Sequence, residues 1–256
     1  MNQPRGIYDS EQAGLQHPVR RERTRLFGRQ LRQLLDAGLE LLFPSRCAGC
    51  QRVDTVWCPE CQDLLDAIPF PARQARAHSP FTALACSGDH NGLLRQALLA
   101  LKYENAAQLA GPLGNRLAGL VTGLRWKTDF LVPVPLHPSR ERERGYNQTR
   151  LMGQVLAQKL CIPLADDALY RTGNTRAQVG LTRRQRLENV SNAFVVNAKR
   201  VQGSDLLLVD DVYTTGATLG ECARALLAKG ARSVFGLTLT RAVSPANHGE
   251  GNPEWM

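Results

Sequence analysis

The sequence predicts an α/β protein: a parallel sheet flanked by helices, with a small cysteine-bearing module ahead of it. Three observations carry that expectation. Apolar runs of strand length alternate with helical faces from Phe81 onward, one strand–helix–strand unit fills residues 206–240, and four cysteines stand in two C-x-x-C pairs at Cys47-Cys50 and Cys58-Cys61. The chain has 256 residues and is 43% apolar, enough to bury a core. Domains commonly run roughly 100 to 200 residues, so this length suggests one ordinary domain plus a smaller piece.

Taken in order, residues 1–25 are polar, Arg-rich and without periodicity, and read as a mobile basic tail. Phe27, Leu31, Leu34, Leu35, Leu39 and Leu42 then recur at helical spacing and stop before Pro44. A helix therefore leads into the cysteine module, the two together covering 26–68. Residues 69–80 hold three prolines and no periodic pattern, as a linker would. The larger domain, 81–243, opens with a strand at 81–85 and a helix with Leu93, Leu94, Ala97, Leu98 and Leu101 on one face. A second helical stretch is interrupted at Gly111-Pro112, residues 130–134 form the next apolar run, and Leu151, Val155, Leu156 and Leu160 line a further helix. Leu206-Leu207-Leu208-Val209 is continuous and apolar, as in a strand buried on both faces. Leu219, Cys222, Ala223, Leu226 and Leu227 make the following helical face, Gly230 stands where that helix should stop, and 234–240 supplies another strand. This strand–helix–strand unit is long enough for a right-handed βαβ crossover. Residues 244–256 are expected to be a frayed tail.

No apolar run approaches the ~18 residues of a transmembrane helix. No apolar segment of signal-peptide type lies near the start, so a cytoplasmic protein without membrane insertion is expected. Seven cysteines are an odd number, and Cys86, Cys161 and Cys222 are isolated, so a disulfide scaffold is not expected. The formal charge of +9 suits anionic partners and equally suits plain solubilising charge.

Two knuckles separated by seven residues can set four thiolates around Zn²⁺; a redox pair or two disulfides are the competing readings, and neither explains why the knuckle occurs twice. With Cys47, Cys50, Cys58 and Cys61 as ligands no coordination position remains for water. The expected role is structural, holding a module without a core of its own.

The chemistry is expected in the run from Leu206 through Asp210, Asp211, Thr214, Thr215, Gly216, Ala217 and Thr218. In a parallel sheet, ligands bind beyond the carboxyl ends of the strands, where the two acids fall. Adjacent carboxylates repel, so a fold tolerates them where hydroxyls, a metal or a cation fills the space. The Thr-Thr-Gly-Ala-Thr turn lies between strand and helix, where free N–H groups and the helix dipole attract phosphate. Sugar hydroxyls on the acids and a phosphate on the loop describe a ribose 5-phosphate; an ordinary capped strand–helix turn is the plainer alternative. Neither a Walker loop nor a Rossmann fingerprint is present.

These residues resemble the phosphoribosyl pyrophosphate (PRPP) loop of type I phosphoribosyltransferases. Joined to an N-terminal four-Cys module, the whole resembles the ComF/GntX family of competence and DNA-utilisation proteins over about 41–243. Further matching pieces are Lys102-Tyr103, the stretch from Pro133-Val134-Pro135 to Arg144-Gly145-Tyr146-Asn147-Gln148, and Thr175-x-x-Gln178-x-x-Leu181 followed by Arg186, Asn189 and Ala193-Phe194.

The resemblance implies a type I phosphoribosyltransferase-like sheet with a zinc-ribbon-like module, Mg²⁺ bound together with PRPP, and pyrophosphate or mobile-loop contacts from Lys102, Arg144, Gly145 and Arg186. Arg140 and Arg142 alternate with Glu141 and Glu143, and read equally as a solvated, internally paired charge run. Residues 171–186 carry five Arg and no acid, with Thr182-x-x-Gln185 as a capping box; they fit a closing loop or a phosphodiester-binding stripe. No residue stands out as general acid or base. Three roles follow: a transferase in nucleotide salvage, a DNA-uptake or DNA-utilisation protein touching single-stranded DNA and other uptake proteins, or a PRPP-sensing regulator without turnover.

Overall fold

A computed structural model describes residues 44–71, 80–172 and 193–242, and those from Arg46 onward belong to one compact unit. Its centre is a four-stranded parallel sheet of β1 (Ala83–Cys86), β2 (Phe130–Pro133), β5 (Asp205–Tyr213) and β6 (Ser233–Arg241), in the order β1-β6-β5-β2.

The continuous apolar run of β5 is explained by its position. Leu206, Leu207, Leu208 and Val209 are all fully buried, because successive side chains go to opposite faces and both faces are covered. Leu207 and Val209 join the core made with α2 (Gly92–Tyr103), α3 (Ala110–Leu124) and α5 (Gln148–Leu160). Leu206 and Leu208 join a second core with α7 (Ala217–Ala228) and with the antiparallel pair β3 (Leu169–Arg171) and β4 (Phe194–Val196). The short helices α1 (Pro59–Ala67), α4 (Pro138–Arg144) and α6 (Ala198–Val201) complete the described elements.

Two boundaries differ from the sequence reading. The helix expected to break at Gly111-Pro112 runs through both, since α3 begins at Ala110 after a 3₁₀ turn at Ala107–Leu109. Pro112 therefore sits in the first turn, where its missing N–H costs no hydrogen bond. Strand β5 does not end near Val209 but continues to Tyr213, because β6 is long enough to pair Asp210 with Thr238 and Tyr213 with Arg241. The acid pair is thus inside the carboxyl end of the strand. The stop at Gly230 agrees with its left-handed φ of 96°, two residues after α7 ends.

Arg116 of α3 joins the cysteine segment to the sheet. Its guanidinium is buried and donates to Leu65 O at 2.9 Å, Ile68 O at 3.0 Å and Ser87 O at 2.6 Å, so one cation satisfies the end of α1 and the end of β1. Leu65 and Ala48 share a core with α2 and α3. The expected basic tail, the helix ahead of Pro44, the Arg-rich loop containing Arg186, and the C-terminal tail lie outside the described residues. No described helix is long and apolar enough to cross a membrane.

Candidate functional site

The two cysteine knuckles bring Cys47, Cys50, Cys58 and Cys61 together, with all four sulfurs within 4.8 Å of one another. Cys47 Sγ lies 3.6 Å and Cys50 Sγ 3.5 Å from Cys58 Sγ. A disulfide would need about 2.05 Å, whereas sulfurs at the corners of a zinc tetrahedron with Zn–S near 2.3 Å stand about 3.8 Å apart. Burial raises the Cys47 thiol, but the amides of Cys50, Cys58 and Gly49 outweigh it and bring it down to about 6. Burial and the neighbouring sulfurs push Cys61 up. A Cβ on Gly49 would stand 2.6 Å from both Cys61 Sγ and Leu93 Cδ1 of α2, so the knuckle closes only around glycine. This four-thiol cluster has the donor set and spacing to chelate a metal ion.

The second centre is the carboxyl edge of the sheet. Asp211 is buried, its Oδ1 2.9 Å from Lys102 Nζ, and its Oδ2 accepts a hydrogen bond from Gln148 Nε2. The Asp211 amide donates to Asp210 Oδ1 at 2.8 Å. The two acids occupy unlike surroundings. Asp211 is held by α2 and α5, whereas Asp210 lies in the field of Arg171 and adds to the effect of burial in raising the Cys222 thiol of α7. Burial first, then the Asp211 charge, pushes the Asp210 carboxyl up to about 7 against the pull of the Asp211 amide, Lys102 and Arg171. The cation that reconciles the adjacent acids is therefore Lys102.

After Tyr213 the chain turns through the expected loop. Thr214, Thr215, Ala217 and Thr218 are exposed, and Gly216 caps α7 with a left-handed φ of 71°. A Cβ at Gly216 would collide with the Tyr213 ring, so both the backbone angle and the space require glycine. Thr215 Oγ1 accepts from the Ala217 amide at 3.4 Å. The first-turn amides of a twelve-residue helix, unpaired within the helix, thus meet three threonine hydroxyls at an accessible edge.

Beside this edge is an open pocket of about 600 Å³, bordered by Lys102, Tyr103, Arg140, Arg142, Arg144 and Gly145. Gly145 ends α4 at φ 81°, after which Tyr146 OH donates to Leu101 O at 2.6 Å. Asn147 caps α5, its Oδ1 accepting from the amides of Thr149 at 2.9 Å and Arg150 at 3.3 Å. Gln148 is buried and uses both ends of its amide: Oε1 accepts from Arg144, and Nε2 donates to Asp211. A continuous polar chain thus runs Arg144, Gln148, Asp211, Lys102.

Of the residues singled out in the sequence, Lys102, Arg144 and Gly145 meet in this pocket and Asp210 through Thr218 form the edge beside it. Among the described residues no ion pair joins Arg140 or Arg142 to Glu141 or Glu143, so the alternating charges are not self-paired. His137 caps α4, its Nδ1 accepting from the Ser139 amide at 3.2 Å. Sequence reasoning gave no role to Gln148, although it lies in the quoted motif, and none to His90. His90 Nδ1 is 2.9 Å from Thr240 Oγ1, and burial together with Lys102 and Arg95 lowers its pKa. Spacing does not reveal either, because Asp211 and Thr240 come from distant strands.

No family model matches the chain. It is 34% identical over 197 residues to the DNA utilization protein YhgH of Escherichia coli (strain K12), covering 74% of this chain and 86% of the relative. It is 38% identical over 116 residues to Competence protein F of Haemophilus influenzae, covering 44% and 51%, and 31% identical over 157 residues to Competence protein ComFC of Bacillus subtilis, covering 60% and 62%. Among solved structures, a B. subtilis glutamine PRPP amidotransferase aligns with 51% of this chain and 26% of its own at 17% identity and a TM-score of 0.40. A Saccharomyces cerevisiae adenine phosphoribosyltransferase aligns with 56% and 72% at 14% identity and a TM-score of 0.37. Fold and site define a parallel α/β protein with an acid–threonine edge and a four-cysteine cluster suited to a metal. The chain belongs to the ComF/GntX family of competence and DNA-utilisation proteins.

Proposed function

We propose that this protein binds PRPP with Mg²⁺ at the β5–α7 edge and works in the cytoplasm in DNA uptake or utilisation. In this reading Asp210 and Asp211 receive the ribose hydroxyls, and the amides and hydroxyls of Thr214, Thr215, Gly216, Ala217 and Thr218 receive the 5-phosphate. Lys102, Arg144 and Gly145 lie beside them, where pyrophosphate would extend, and Arg186 is assigned there by resemblance alone. Bound Mg²⁺ would offset the phosphate charge. Cys47, Cys50, Cys58 and Cys61 would hold a structural Zn²⁺, with no chemistry at the metal.

The observation that carries the reading is the pairing of an exposed threonine-rich helix start with two carboxylates one turn of chain before it. The basic pocket next to it, and relatives named for DNA utilisation and competence, favour DNA as the second partner, with other uptake proteins as further candidates. Labelled PRPP incubated with a panel of nucleobases and with single-stranded DNA tests whether binding leads to transfer. Pyrophosphate release dependent on one acceptor supports a transferase; salt-sensitive DNA binding with PRPP retained intact supports a DNA-handling or sensing role. Failure of PRPP to bind at all, with Mg²⁺ present, would remove the reading.

A further inference from the structure

Single exposed aromatic residues on a protein surface are ordinary, but Tyr103 is exposed in an unusual setting. The residue is 73% accessible, at the wall of a pocket bordered by four cations and one acid, Glu143. The Arg144 guanidinium carbon stands 5.3 Å from the ring centroid, which steadies the ring while most of it stays open to solvent. Lys102 is committed to Asp211 and Arg144 to Gln148. Arg140 and Arg142 are exposed and have no ion pair among the described residues, so their charge is available to a phosphate. An open π-face held by a cation, with two uncommitted guanidinium groups alongside, suits a ligand that is flat and aromatic at one end and anionic at the other.

We propose that Tyr103 is a stacking platform for a nucleobase whose adjoining phosphates lie on Arg140 and Arg142. The shared chemistry is a nucleobase with phosphate; a single strand and a mononucleotide are its two sources. The proposal rests on the DNA-handling part of the function above and not on the PRPP part.

The test uses the full chain with a fluorescent dT12, the same strand without bases, and dTMP. Tyr103→Ala should weaken dT12 binding by about fivefold to a hundredfold, and Tyr103→Phe should keep it, since stacking needs the ring and not the hydroxyl. The double variant R140Q/R142Q should lower the log–log salt slope of binding by about 1.4, two phosphate contacts at ~0.7 each. A bromouracil-substituted strand should photocross-link to the peptide containing Tyr103. Displacement of dT12 by dTMP would assign the platform to a mononucleotide; no displacement would assign it to a strand. Equal binding of the baseless strand, unchanged affinity of Tyr103→Ala with its circular dichroism intact, or cross-links confined to other peptides would overturn the proposal. PRPP binding to the unmodified chain is read separately by calorimetry, so its failure would strike the PRPP reading and leave this one standing.

Discussion

The cysteine cluster and the acid–threonine edge are built in opposite ways. Every thiol of the first comes from the short stretch between Cys47 and Cys61, whereas the second draws Lys102 from α2, Gln148 from α5 and Asp211 from β5, with 63 residues between the last two. The first is closed: three of its four cysteines are buried, and a bound ion would use every sulfur. The second is open, with Thr214, Thr215, Ala217 and Thr218 at the surface. A closed local cluster suits holding structure together; an open edge assembled from distant segments suits a ligand that comes and goes.

The largest effect that would sharpen this contrast is metal loss. Structural zinc contributes on the order of 10 to 16 kcal/mol in small zinc modules. Cys47→Ser or a strong chelator should abolish metal content and lower the thermal midpoint of the whole unit, because Ala48 and Leu65 share its core. Metal analysis and calorimetry on the same samples check this; a chelated protein melting like the untreated one would mean the cluster is dispensable.

Next comes Lys102→Met. It leaves the Asp211 carboxylate buried with only Gln148, and breaking such a pair costs about 3 to 5 kcal/mol. Urea titrations of the variant and the unmodified chain should show that loss, and Lys102→Arg, which keeps the cation, should recover part of it. A deficit of less than about 1 kcal/mol would show that the pair contributes no more than an exposed one.

A smaller effect concerns Asp210. Its folded carboxyl is raised to about 7, above the ordinary unfolded value near 3.9, so the fold favours its protonated form. That stabilisation is complete below about pH 4 and lost as pH rises through 7. Asp210→Asn should flatten the pH dependence of stability across that window, by roughly 1 to 2 kcal/mol once its partial exposure is allowed for. The smallest effect is expected from Arg52→Ala, because the 2.5 Å ion pair with Glu60 is exposed on both sides. The melting temperature should not move measurably, and a clear drop would give that surface pair a part in closing the knuckle.

Much of this architecture is legible before folding. The run 206–209 marks a strand buried on both faces because only such a strand needs apolar residues at every position. The knuckles are legible because their ligands are neighbours in sequence. The extension of β5 through Asp210 and Asp211 is not, since an Asp-Asp pair has poor strand propensity and pairs only because β6 continues opposite it. Gly111-Pro112 misleads because both residues usually end helices, and here they sit in a first turn. Arg116 and His90 carry no local signal, being defined by carbonyls and a hydroxyl from far along the chain; Gln148 has Arg144 four residues back, but its carboxylate partner, Asp211, comes from a distant strand.

The decisive measurement is calorimetric titration of Mg²⁺·PRPP into the unmodified chain and into the D210N/D211N double variant, with zinc content read in parallel. Saturable binding to the former, its loss in the latter and equal zinc in both is the expected result. Equal affinity in the two proteins would place the sugar elsewhere and contradict the site.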